Sequence, residues 1–279
     1  MTMLNPGQRI RTVGGKEHVI DRPIGTGAQA EVYLLQGGKC VYKAFINRNE
    51  LARVRWLMER RLPADLPMCL PTDMVSASDH GGYITSFVDG MPLAEFLDIP
   101  GLTYGDTARA AYALMLSLSL IHRYAAHGDV REENVIVKAW RDSSREWVIE
   151  QMTFIDCDNY AAEGAPPPMY LGDNMVMAPE LRTSKDPRHV SRAADVYACA
   201  QICHRMLLRH DDSSFATTSE EFDEAMRRGV WHSDTFNPRR RDTGLDGHGL
   251  PAEVLDSLTS SLFRGAFNVD PALHSTASQ

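Results

Sequence analysis

The sequence predicts an α+β fold with room for two lobes of unequal size, and three observations lead to it. The 279 residues are 43% apolar, enough to bury one large core or two smaller ones. Short β-type runs come early: Ile24-Gly25-Thr26-Gly27-Ala28-Gln29-Ala30-Glu31-Val32 reads as a Gly-rich turn between two strands, and Val41-Tyr42-Lys43-Ala44 as another strand carrying one lysine. A long amphipathic helical run over 107–126 comes later, ahead of the apolar triplet Val135-Ile136-Val137.

Each element has a local reason. Gly25 and Gly27 lack a Cβ, so the backbone can turn tightly and bring its N–H groups close to a phosphate chain. Lys43 sits in an apolar strand, its stem suited to burial and its head to a polar partner. Glu50 is followed by Val54, Leu57 and Met58 at helical spacing, and Asn47 three residues before it fits a capping box. Glu59 lies further along the same helix, among Arg55, Arg60 and Arg61. The segment 82–90 reads as a strand running into a turn. In His127-Gly128-Asp129-Val130-Arg131-Glu132-Glu133-Asn134, an aspartate and an asparagine stand five residues apart between a helix and a strand. Twenty-two residues past Asn134, Phe154-Ile155 delivers Asp156 at the end of a further strand. Phosphoryl transfer from a nucleotide needs these groups: a carboxylate for the acceptor hydroxyl, and an amide and a carboxylate to hold Mg2+ against the phosphates.

Composition narrows the partners. A formal charge of -8 argues against a nucleic-acid binder, with Arg239-Arg240-Arg241 read as a solvated loop. The five cysteines include no C-x-x-C pair and predict reduced thiols in the cytoplasm. Residues 1–11 carry no basic segment followed by an apolar one, and no stretch reaches the length of a membrane span. Oligomeric state has no signature in the sequence.

With Met177-Ala178-Pro179-Glu180 and Asp195-Val196-Tyr197-Ala198 further on, five motifs stand in the order of a known set. The chain resembles the eukaryotic-like serine/threonine protein kinases, in a prokaryotic-type variant, over about residues 20 to 277. The resemblance implies a two-lobed kinase fold: a small lobe over 1–86, with an antiparallel sheet and one helix, and a larger, mainly helical lobe over 87–279. It implies ATP and Mg2+ in the cleft, a protein substrate, and neither nucleic acid nor membrane as partner. Asp129 would be the base, with Arg131 beside the γ-phosphate. Asn134 and Asp156 would ligate Mg2+. ATP would lie against Ile24, Gly25, Gly27 and Val32, with Lys43 on its phosphates, Thr85 at the gatekeeper and Ser86, Phe87 and Val88 at the hinge. Glu50 would orient Lys43, Glu59 being the alternative. Asp195 would fix the catalytic-loop backbone.

Departures from the pattern are informative. Gly128 replaces the arginine that in many kinases pairs with a phosphate on the activation loop. The D-F-G triplet reads Asp156-Cys157-Asp158, which leaves Asp158 to accept the backbone angles a glycine would ease. Ala30 takes the place of a third loop glycine, Asp173 stands where many members carry threonine, and His274 replaces the arginine that pairs with the A-P-E glutamate. Residues 157–179 contain no Ser or Thr, so a phosphothreonine switch is not expected there. Two rivals remain. A small-molecule kinase of the aminoglycoside or choline type shares H-G-D and the asparagine but lacks A-P-E. A pseudokinase scaffold would have no need of Lys43, Asp129, Asn134 and Asp156.

Overall fold

Alternation along the early strands determines what each face of the first sheet covers. The computed structural model describes residues 4–27, 29–47, 51–76, 81–168, 171, 176–210, 218–228, 231–234 and 250–268. Strands β1 (Arg9–Arg11), β2 (Glu17–Thr26), β3 (Ala30–Leu35) and β4 (Cys40–Phe45) precede helix α1 (Leu51–Glu59), and β5 (Pro71–Val75) and β6 (Gly82–Ser86) follow it. The six form one antiparallel sheet in the order β1-β2-β3-β4-β6-β5.

In β4, Tyr42 and Ala44 join Ile10, Ile20, Tyr33, Leu35 and Ile84 in a cluster on one face. Phe45 packs on the opposite face with Tyr83, Met74 and the α1 residues Val54 and Leu57. Side chains alternate across a strand, so Lys43 shares the Phe45 face, toward α1 and the rest of the chain.

Next come β7 (Met91–Pro92), α2 (Leu93–Leu97) and α3 (Tyr104–His122). Thr103 and Asp106 close a capping box at the start of α3, and its buried stripe runs Ala110, Ala111, Leu114, Leu118 and Ile121. The helix stops at His122, four residues short of the sequence-based expectation, because Ala126 exchanges backbone hydrogen bonds with Ala161 at 2.9 and 3.0 Å. A tertiary pairing thus overrides local helical preference.

Strands β8 (Val135–Arg141) and β9 (Trp147–Phe154) form an antiparallel hairpin with β7 at its edge. Val135 pairs with Phe154, so the residue before β8 and those just after β9 emerge side by side. Helices α4 (Pro179–Ser184), α5 (Arg192–Leu208), α6 (Ser219–Arg228) and α7 (Ser257–Ala266) complete the described chain. Helix α5, capped by Ser191, is buried along most of its length between α3 and α7, with Tyr197 edge-on to Phe267 at 5.5 Å. Among the described residues no helix is long and apolar enough to cross a membrane.

Candidate active site

The β8–β9 hairpin and helix α5 together hold the loop 127–134. Asp195, one turn into α5 and buried, accepts the backbone N–H groups of His127 (2.6 Å) and Gly128 (2.9 Å) and contacts His122 Nε2 at 3.0 Å. The Asp129 N–H donates to His127 Nδ1 (3.3 Å), which leaves Nε2 to donate to the Ile155 carbonyl at 3.0 Å. Ile155 in turn donates its N–H to the Asn134 carbonyl at 2.8 Å. Both ends of the loop are therefore tied to the residue next to Asp156.

Gly128 is needed here for a reason local sequence does not contain. Its φ is +83°, and a Cβ would lie 2.9 Å from both the Asn159 carbonyl carbon and Val190 Cγ1, and nearer still to the Asn159 oxygen. The missing arginine is a steric requirement of this packing. Gly25 and Gly27 differ. Neither has a positive φ, and a Cβ would meet its nearest neighbour at 3.7 Å in both cases, an ordinary contact. Among the described residues the chain's own packing does not demand these two glycines. The Gly27 N–H closes the hairpin on the Ala30 carbonyl at 2.9 Å.

Within the loop, Asn134 donates its amide to the Asp129 carbonyl (2.9 Å) and carboxylate (2.8 Å). Burial pushes the Asp129 carboxyl above its ordinary value, against the pull of Arg131 and His127. Arg131 Nε stands 3.5 Å from Asp129 Oδ2 with no hydrogen bond of its own. Asp156 takes a left-handed backbone (φ 62°) at the mouth of a short turn, Cys157–Asn159. The strain expected at Asp158 thus falls on Asp156, while Cys157 is buried in the large core as its apolar character suggests.

Lys43 reaches this turn. It is 8% exposed and forms ion pairs with both Asp156 and Asp158. Burial opposes the ammonium, but Asp158 and Asp156 outweigh it and hold the Lys43 pKa above its ordinary value. Asp158, 4% exposed, is pushed up by burial to about 7 despite Lys43. Partial burial also opposes ionisation of Asp156, but Lys43 and a hydrogen bond from Asp158 carry it below the usual carboxylate range.

Glu50 lies outside the described residues, as do Asp173, His274 and Arg239 to Arg241. The alternative, Glu59, is exposed at the end of α1 and does not meet Lys43. Among the described residues, neither oxygen of Glu180, the A-P-E glutamate, has a hydrogen-bond partner, and both are buried. The sequence reading passed over Arg53. It is 5% exposed and donates through Nε to the Asp158 carbonyl at 2.7 Å, and through its terminal nitrogens to the carbonyls of Tyr160 and Pro166. Its signal was an arginine on the apolar face of α1, one residue before Val54 and four before Leu57.

Around the positions expected to meet a nucleotide, Val32 pairs with Lys43 across β3 and β4, and also faces Gly25 in β2. Ile24 is 39% exposed beside them. Thr85 is buried and donates to the Leu70 carbonyl at 2.8 Å. The Phe87 N–H is spent on the Lys39 carbonyl at 2.9 Å, and the Ser86 carbonyl accepts from Cys69 Sγ at 3.1 Å. Among the described residues the Val88 backbone has no partner. A small crevice under Asp129 is lined by Leu171, Val176, Met177, Val190 and Ala194.

Two solved structures share this arrangement of elements. The crystal structure of the PF14_0431 kinase domain superposes with a TM-score of 0.67 over 99% of this chain and 96% of that one, at 12% identity. The fold is that of a protein kinase. A second kinase-fold match, a structure of Rad53 residues 1-466 in complex with AMP-PNP, has a TM-score of 0.64 and 18% identity. It covers 93% of this chain and 62% of that one. No protein-family model matches the sequence, and no curated protein does. At such identities the likeness is one of kinase fold, and the chemistry rests on the residues described above.

Proposed function

We propose that this chain is an ATP- and Mg2+-dependent protein kinase that phosphorylates serine and threonine hydroxyls of protein substrates. One observation carries the reading: Lys43, Asp129, Asn134 and Asp156, spread over 113 residues of sequence, converge on one loop pair at the end of the β8–β9 hairpin. Residues 1–86 would form the nucleotide-covering lobe and 87–279 the lobe that carries acceptor and base.

The residues suit the chemistry. Asn134 spends its amide nitrogen on Asp129, which leaves its side-chain oxygen free of donors. Asp156 gives one oxygen to Lys43 and also accepts from Asp158, and its carboxylate keeps further lone pairs. Two oxygens of this kind fit Mg2+, which takes one or two protein ligands together with phosphate oxygens and water. Mg2+, when bound, would neutralise charge building on the transferring phosphoryl group.

Asp129 is held by Asn134 and the His127 ring so that its carboxylate can orient an acceptor hydroxyl, and burial makes it a better proton acceptor. The hydroxyl proton passes to Asp129 as the new O–P bond forms, the bond to the β–γ bridging oxygen breaks, and ADP leaves. The free backbone of Val88 and the Ser86 carbonyl would take the adenine edge, with Val32 and Ile24 on its face and Thr85 behind it. Gly25 and Gly27 leave room for phosphates near Lys43. A cytoplasmic location is supported by five free thiols, including Cys199 and Cys203, whose sulfurs share a hydrogen bond at 4.0 Å and no disulfide.

The test is incubation with γ-labelled ATP, with and without Mg2+, against mixed protein acceptors, followed by phosphoamino-acid analysis. Label on phosphoserine or phosphothreonine, dependent on Mg2+, is expected. Label on small alcohols alone would overturn the protein acceptor, and nucleotide binding without transfer would make the chain a scaffold.

A further inference from the structure

Helix α1 offers Lys43 no carboxylate within its own span. The segment Leu51–Glu59 has one acidic residue, Glu59, and that side chain is exposed. The buried face of α1 presents Arg53, Val54 and Leu57. Among the described residues it is Asp158 that meets Lys43 beside Asp156: the short turn after the left-handed Asp156 swings Asp158 back against Lys43, so the ammonium sits between two carboxyl groups. A glycine at this position would bring no side chain at all.

Building on the kinase reading above, we propose that Asp158 is the group that orients Lys43, and that Arg53 is the positioning residue that holds Asp158 in place. Arg53 grips the backbone of the turn, not its charge: its Nε donates to the Asp158 carbonyl at 2.7 Å, and its other nitrogens reach the carbonyls of Tyr160 and Pro166. Three carbonyls from one segment fill the guanidinium fork, a geometry a single ammonium cannot match. Helix α1 therefore couples to the lysine through the metal-binding turn. Buried Tyr83, which pairs with Lys43 in the β4–β6 register, stands against Asp158 from the sheet side. Asp156 would be shared with Mg2+ and so would not serve as sole anchor for the lysine. Asp158 remains for the lysine.

The test compares steady-state kinetics of Asp158→Asn, Arg53→Met, their double variant and Glu59→Gln as a control, at varied ATP and varied Mg2+. Asp158→Asn should lower kcat by roughly ten- to a hundredfold, as expected for losing one charge-assisted positioning contact, without raising the Mg2+ requirement. Arg53→Met should fall in the same range, and the double variant should be no worse than about the worse single one, because the two act as a unit. Glu59→Gln should match wild type. An Asp158→Asn enzyme with wild-type kcat overturns the proposal, and so does one whose kcat recovers at high Mg2+, which would put this carboxylate on the metal. If either variant fails to fold, a crystal structure of the wild-type chain with Mg2+ and a non-hydrolysable ATP analogue decides. Lys43 bridging phosphate and Asp158 supports the proposal; Lys43 paired with a carboxylate from residues 48–60 refutes it. A wild-type chain that neither binds Mg2+-ATP nor transfers phosphate would instead sink the kinase reading itself, a result separate from neutral variants in an active enzyme.

Discussion

Replacing Gly128 with alanine should damage this protein out of proportion to one methyl group. Holding an L-residue in the left-handed region at φ +83° costs about 1–2 kcal/mol. The added Cβ would also stand 2.9 Å from Val190 Cγ1 and from the Asn159 carbonyl carbon, with the Asn159 oxygen closer still, so backbone must move. Overpacking of this kind typically costs about 1–3 kcal/mol. The sum, about 2–5 kcal/mol, corresponds to a fall in Tm of roughly 4–20 °C for a domain of this size. The shift would reach the chemistry as well, because the Gly128 N–H is one of two that Asp195 holds, at 2.9 Å, and Asp129 is the next residue. Thermal denaturation followed by circular dichroism reads the first effect, and phosphoryl transfer at a temperature where both forms are folded reads the second. Gly128→Ala with an unchanged Tm would show that the Asn159 carbonyl yields freely and that the steric account of the missing arginine is wrong. Gly128→Arg should be at least as damaging, and should not create a phosphate-dependent switch.

Three other outcomes follow from the same geometry. Asp129→Ala should abolish transfer yet leave Mg2+-dependent ATP affinity nearly intact, while Asp156→Ala should lose that affinity; similar losses in both by calorimetry would refute this division between base and metal ligand. Phosphatase treatment should leave the initial rate unchanged, because residues 157–179 hold no Ser or Thr and Gly128 offers no cation to a phosphate; a large loss would reveal a switch elsewhere. Asp106 is held down to about 2, burial opposing and hydrogen bonds from Thr103, the Trp147 N–H and Arg109 prevailing. Its folded pKa is depressed, so its contribution is full above about pH 4 and is lost as pH falls toward 2. Asp106→Ala should cost about 1–2 kcal/mol near neutral pH in urea denaturation, and the gap to wild type should narrow between pH 4 and 2.

The sequence by itself determined the order of the functional elements and much of their local form. The five-residue spacing of Asp129 and Asn134 was enough to place both in one loop, and an amide that reaches back to its own loop's carboxylate needs only that spacing. Period-two alternation in β4 put Lys43 on the face opposite Tyr42, and the 3.6-residue stripe in α3 put Leu114 and Leu118 in the core. Patterns of this kind report which face a side chain occupies, because burial is shared by the whole face. They do not say which residue waits on the other side. The partners of Lys43 lie 113 and 115 positions away, and the sequence reading sought its anion in the helical run after the lysine strand, where spacing offered Glu50 and Glu59. Only the turn after Asp156 brings Asp158 to the lysine, and only the packing of α1 against that turn turns Arg53 from a surface charge into a buried clamp. Gly128 follows the same rule. Its φ could be suspected from a glycine, but the carbonyl of Asn159 that forbids any side chain there comes from another segment, placed by the pairing of Ala126 with Ala161. That same pairing ends α3 early, where helical preference alone would have carried it on.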